Sequence, residues 1–108
     1  MNITDRTINA LNTMKAFFTQ REFAKLDYTF DWTTALNGAS IVSSVWQTRS
    51  SQGLHMDQSN TDKTTTVLAS GRPGIYRLFN IVTLDNGVTD ERELKLVIQP
   101  DRSNVDYV

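Results

Sequence analysis

The stretch Pro73–Gln99, PGIYRLFNIVTLDNGVTDERELKLVIQ, decides how the rest of the chain is read. Tyr76, Leu78, Val82 and Leu84 alternate along one arm and Leu94, Leu96 and Ile98 along the other. Asp85-Asn86-Gly87 lies between them, the pattern of a long β-hairpin. A slip of one residue in pairing would send every side chain to the opposite face, so the apolar set itself tests the register. A two-residue Asn86-Gly87 turn sets Leu94 opposite Phe79 and Leu78 opposite Lys95, which splits the apolar set. A three-residue loop with Gly87 at positive φ sets Leu84 opposite Val88, Leu78 opposite Leu94 and Tyr76 opposite Leu96. The second register is the expected one. It leaves Ile75, Phe79, Ile81 and Val97 on the other face among Arg77, Glu91, Glu93 and Lys95. That face is more apolar than one meant only for water, which implies a cover.

Upstream of the hairpin, Leu26, Tyr28, Phe30 and Trp32 alternate with Asp27, Thr29 and Asp31, a half-buried strand. Ser40–Arg49 reads as a second strand, in which either Val42 and Trp46 or Ile41 and Val45 face the core, and the large indole of Trp46 is assigned inside. Leu54–Asp57 and Thr64–Ala69 follow, the latter with three threonines suited to a pleated edge. Pro73 and Gly74 fit the central positions of a type II turn. About six short strands spaced by turns every 8–12 residues predict an immunoglobulin-like antiparallel β-sandwich, with a small SH3-like β-barrel as the alternative. Tyr76, just after that tight corner, matches in position the tyrosine corner of immunoglobulin-like domains, and Trp46 matches their core tryptophan.

Residues 1–25 read differently. Ile8, Leu11, Met14 or Lys15, and Phe18 fall at helical spacing, and Thr19-Gln20-Arg21-Glu22 has the form of a capping box. The segment is expected to be an N-terminal arm or a short helix over Asp5–Met14, with Leu11, Phe17 and Phe18 docking on an apolar surface of this subunit or the next. Residues 26–99 form the sandwich, and 100–108 a polar, mobile tail with Val105, Tyr107 and Val108 as contact candidates.

Composition narrows the function. With 108 residues the chain is one domain, large enough to bury roughly 60–70% of the surface its unfolded form exposes. It has no cysteine, which excludes disulfides, thiolate metal sites and cysteine nucleophiles. Eleven basic and twelve acidic residues leave a net charge of −1 with no basic stripe, so nucleic acid is not an expected partner. No run of about 18 apolar residues occurs and no basic start precedes an apolar stretch, so neither a membrane span nor an export signal is expected.

Candidate chemistry is sparse. The single histidine, His55, lies beside Leu54 and Met56 with no second histidine or cysteine nearby, no serine lies in Gly-x-Ser-x-Gly, and no glycine-rich phosphate loop opens a helix. Asp27 with Asp31, and Asp90 with Glu91 and Glu93, offer oxygen ligands without the Asp/Asn/Gly loop of a calcium site, and Arg77, Arg92 and Lys95 are at hand to pair with them. No catalytic residue, metal or cofactor is expected. Tyr28, Phe30, Trp32, Trp46 and Tyr76 fall at core periodicity rather than on a sugar-binding platform. A protein interface made by Leu11, Phe17, Phe18, Ile75, Phe79, Ile81 and Val97 remains.

Leu26-Asp27-Tyr28-Thr29-Phe30-Asp31-Trp32, taken with the hairpin residues Tyr76, Asn80, Asn86-Gly87, Thr89-Asp90-Glu91-Arg92 and Leu94-Lys95-Leu96, resembles the small immunoglobulin-like virion proteins of tailed bacteriophages, in particular the fibre-tail adaptors. The likeness spans Leu26–Gln99. It implies a non-enzymatic structural subunit, assembled in several copies in the host cytoplasm and held in the virion by contacts with tail, fibre or capsid proteins. Capsid decoration and a carbohydrate- or receptor-binding module are the competing readings.

Overall fold

The computed structural model describes residues 7–9, 15–49 and 53–100. In chain order these form β1 (Thr7–Asn9), β2 (Lys15–Arg21), β3 (Leu26–Asp31), a one-turn helix α1 (Thr33–Leu36), β4 (Ile41–Thr48), β5 (Leu54–Asn60), β6 (Thr64–Gly71), β7 (Gly74–Leu84) and β8 (Thr89–Gln99). The strands lie in two four-stranded sheets, ordered β1-β3-β6-β5 and β2-β8-β7-β4. Adjacent strands β3-β6-β5 and β4-β7-β8 reproduce the two sheets of an immunoglobulin-like sandwich, and among the described residues no closed SH3-like barrel is formed.

The β7–β8 hairpin takes the expected register, Leu78 opposite Leu94 and Tyr76 opposite Leu96. The Leu84 N–H donates to the Val88 carbonyl (2.8 Å), the Gly87 N–H donates to the Leu84 carbonyl (2.9 Å), and Gly87 has φ +88°. Glycine takes this conformation without steric cost. The two sheets close over one core. Tyr28, Phe30, Trp32, Val67 and Ala69 come from the first sheet and its edge, and Trp46, Leu78, Val82, Leu94, Leu96 and Ile98 from the second. Phe30 stacks on Trp46 across the gap, ring centroids 5.4 Å apart. Each such large apolar side chain removed from water contributes about 1.5–3 kcal/mol.

Asn80 holds the sheets together by polar contacts. Its Oδ1 accepts from the Thr65 hydroxyl (2.6 Å) and the Trp32 indole N–H (3.2 Å), and its Nδ2 donates to Ser44 Oγ (3.0 Å) and the Val45 carbonyl (3.3 Å). Every bonding position of the buried amide is used, which is the condition for a polar group to sit in a core. Gln58 works at the open side. Its amide accepts from the Trp46 backbone N–H (2.8 Å) and donates to the Trp46 carbonyl (3.1 Å), standing in for a strand partner on the β4 edge.

Several expectations are corrected. Ile41 and Trp46 both point inward, which neither simple alternation allows, because a bulge between Ile41 and Ser43 adds a residue and switches the parity. Val42 is consequently exposed, while Val45 is exposed by simple alternation beside inward Trp46. β6 is a central strand between β3 and β5, so its threonines are not at an edge. Gly74 does not have positive φ, so the corner is not a type II turn with Gly74 at its third position. Its geometry is set instead by the Tyr76 hydroxyl, which donates to the Arg72 carbonyl (2.8 Å), the bond that defines a tyrosine corner. Nor does the sandwich begin at residue 26: β2 pairs in parallel with β8 along seven residues, and β1 pairs in parallel with β3. Residues 7–9 are extended rather than helical, since edge backbone gains ladder hydrogen bonds that a short isolated helix lacks partners to match. The rest of the expected helix, with Leu11, and the tail Asp101–Val108 lie outside the described residues.

Candidate functional site

Strand alternation divides the β2-β8-β7-β4 sheet into an inner face, buried against the other sheet, and an outer face. The outer face is assembled by register: Val45 opposite Ile81, Ile81 opposite Glu91, Phe79 opposite Glu93, Arg77 opposite Lys95, Lys95 opposite Phe17, and Ile75 opposite Val97. Ile75, Phe79, Ile81 and Val97 therefore share one face, as the alternation predicts.

Their exposure differs. Ile75 is 63% exposed and Phe17 is 59% exposed, whereas Phe79 is only 7% exposed although it points outward. Two guanidinium groups cover it, Arg49 at 4.7 Å and Arg77 at 5.4 Å from the ring centroid. Cations are drawn to the negative face of an aromatic ring, and the arginine stems shield it from water. Arg77 is itself held by Glu93 through bonds from Nε (2.7 Å) and one terminal nitrogen (3.2 Å). This pairing raises the guanidinium pKa above its ordinary value. Ile81 and Val97 are half-buried. The face thus has an apolar end at Ile75 and Val97, a charged middle, and a second apolar end at Val45 and Ile81, with Phe17 alongside, where Lys95 lies 5.8 Å from its ring.

Phe18 is not on this face. It follows Phe17 in a strand, so it points inward and packs on Tyr28 with ring centroids 5.2 Å apart, a core contact in place of the expected interface. β2 does not cover the outer face either; it extends the sheet edge-on and adds Phe17 to it.

The inward assignment of Trp46 already set Val45 outward; not foreseen from the sequence were the exposure of Val42, hidden by the bulge, and of Phe23, which is 81% exposed in the turn between β2 and β3. For Phe23 an available signal was the charged run Arg21-Glu22 before it and Lys25 shortly after, a setting in which a large apolar side chain has little to pack against.

The other candidates are engaged locally. His55 is exposed, 3.7 Å from the Asp57 carboxylate. Asp90 pairs with Arg92 (2.7 Å). The Thr33 hydroxyl and backbone N–H donate to Asp31, bonds that hold its carboxyl below the ordinary range. Among the described residues no cluster of three His, Asp or Glu side chains is arranged to hold a metal ion. Trp32 and Trp46 are both buried, so neither forms a sugar-stacking platform.

A family model described as podophage GP4 fiber-tail adaptor protein gp77 matches residues 21–97. No curated protein matches the sequence. Among solved structures the chain is similar to the solution structure of the PKD domain from KIAA 1837 protein, with 13% identity, a TM-score of 0.50, and coverage of 91% of this chain and 82% of that one. At that identity the likeness speaks to the fold alone.

Proposed function

Because the chain belongs to the podophage GP4 fibre-tail adaptor gp77 family, a family of structural tail components, we propose that it joins tail and fibre proteins in the virion through the outer face of its β2-β8-β7-β4 sheet. The observation that carries this reading is the exposure of Ile75 and Phe17 on a sheet whose inner face already supplies the core. Exposed aliphatic and aromatic side chains around a charged centre suit a protein partner: the apolar ends gain from leaving water, and the Arg77–Glu93 pair offers directional contacts. The chemistry required of an adaptor is positioning, and no catalytic step is assigned. The fibre-tail family favours the tail over the capsid as the site of attachment. Several copies, assembled in the host cytoplasm, would ring the tail, with Leu11 as an additional contact.

The test is a double variant, Phe17→Asp with Ile75→Asp. Both side chains are exposed, so the melting temperature should stay within about 5 °C of the parent, given that surface changes are usually within ±0.5 kcal/mol each. Incorporation into adaptor-deficient particles, counted as copies per particle, should fall at least tenfold. Full incorporation would sink the assignment.

A further inference from the structure

At the end of the sandwich where β2 turns into β3, Phe23 has φ +72°, a left-handed conformation that is a true outlier for a bulky residue. Its ring makes no aromatic or cation contact among the described residues and is more exposed than any other large apolar side chain there. The turn is nevertheless firmly held. The Ala24 N–H donates to the Arg21 carbonyl (3.1 Å). The buried Gln20 amide donates to the Ala24 and Ala69 carbonyls, both at 3.1 Å, and accepts from the Tyr28 hydroxyl at 2.6 Å. Backbone strain and an exposed ring that give the isolated fold nothing, fixed by a buried polar anchor, describe a side chain pre-organised for use elsewhere.

Beside Phe23 lies a cleft of about 450 Å³, lined by Glu22, Lys25, Gly53, Ser70, Gly71 and Arg72. Two glycines are among its lining, and a Cβ on Gly71 would run into the Gly53 backbone, so the two chain segments pack there with no side chain between them. Two cations and one carboxylate line the cleft, and among the described residues neither Lys25 nor Arg72 is in an ion pair. The local charge suits an acidic occupant.

We propose that this end of the sandwich is a second docking site, where Phe23 enters an apolar pocket of another virion protein while an acidic segment of that protein lies in the cleft against Lys25 and Arg72. That the partner is a virion protein rests on the adaptor reading; the site itself rests on Phe23 and its cleft. A connector needs two surfaces, and none of the sheet-face residues Phe17, Ile75, Ile81 and Val97 lines this cleft.

The experiment uses the full chain added to adaptor-deficient phage particles. Phe23→Asn relieves the backbone strain, because asparagine tolerates the left-handed region. It should leave the melting temperature equal or higher while cutting particle-bound copies at least tenfold, and Lys25→Glu with Arg72→Glu should reproduce the binding loss. A photo-crosslinking phenylalanine at position 23 should link to an Asp/Glu-bearing segment of a different virion protein. A lowered melting temperature for Phe23→Asn, undiminished incorporation, a link confined to this chain or to a second copy, or a link from position 75 alone would each overturn the site. Absence of links from both positions 23 and 75 would instead overturn the adaptor reading beneath it.

Discussion

The two faces of the β7–β8 hairpin are built from alternate residues of the same strands, yet they obey different rules. On the inner face Tyr76, Leu78, Val82, Leu94, Leu96 and Ile98 are all buried, and Leu78 meets Leu94 directly. On the outer face exposed Ile75 lies near a covered Phe79 and an ion-paired Arg77. The inner face sets the register, because a one-residue slip of either strand would turn its charges, Arg77 on β7 or Glu93 and Lys95 on β8, toward the core. Once the register is set, outer residues can vary with little effect on folding. Function has room to act there.

That contrast can be broken from the inner side first. Leu94→Ala removes a fully buried side chain and should destabilise the fold by about 2–5 kcal/mol, read as a lowered denaturant midpoint. A shift below ~1 kcal/mol would mean that the inner face is not the folding determinant. Asn80→Leu leaves the Thr65 hydroxyl without its acceptor, while the Trp32 indole N–H keeps its bond to Thr65 Oγ1 (3.1 Å), and should cost about 1–3 kcal/mol by the same measurement. On the outer side, Arg77→Ala uncovers Phe79 and unpairs Glu93. Its melting temperature should fall less than that of either inner variant, by an amount that shrinks as salt is raised, since the pair is exposed. A drop as large as that of Asn80→Leu would erase the distinction between the faces.

How far the sequence could be read follows the same division. The hairpin register, the inward Tyr28, Phe30 and Trp46, and the tyrosine corner were legible because each depends on local alternation or a turn residue at a fixed offset. The bulge at Ile41–Ser43 was not, since one extra residue reverses parity without a glycine to mark it. The N-terminal strands were masked by a spacing of Ile8, Leu11 and Phe18 that fits a helix, and by adjacent Phe17 and Phe18, which blur period two. Parallel pairing with β8, far along the chain, decides their state. At the candidate face, alternation grouped Ile75, Phe79, Ile81 and Val97 correctly. It had no means of telling that Arg49, thirty positions from Phe79, would close over its ring. Phe23 escaped for a related reason: its backbone conformation is imposed by Gln20 and the strand ends, not by its neighbours' residue types.

The central claim is that the outer face is covered by a partner in the virion while the fold stands without it. Hydroxyl-radical footprinting of Phe17 and Ile75, in the free chain and in assembled particles, measures this most directly. Both side chains should be oxidised readily in the free chain and at least fivefold less in the particle, with exposed Val88 at the hairpin loop as the internal reference. Equal oxidation of Phe17 and Ile75 in the two states would contradict the account.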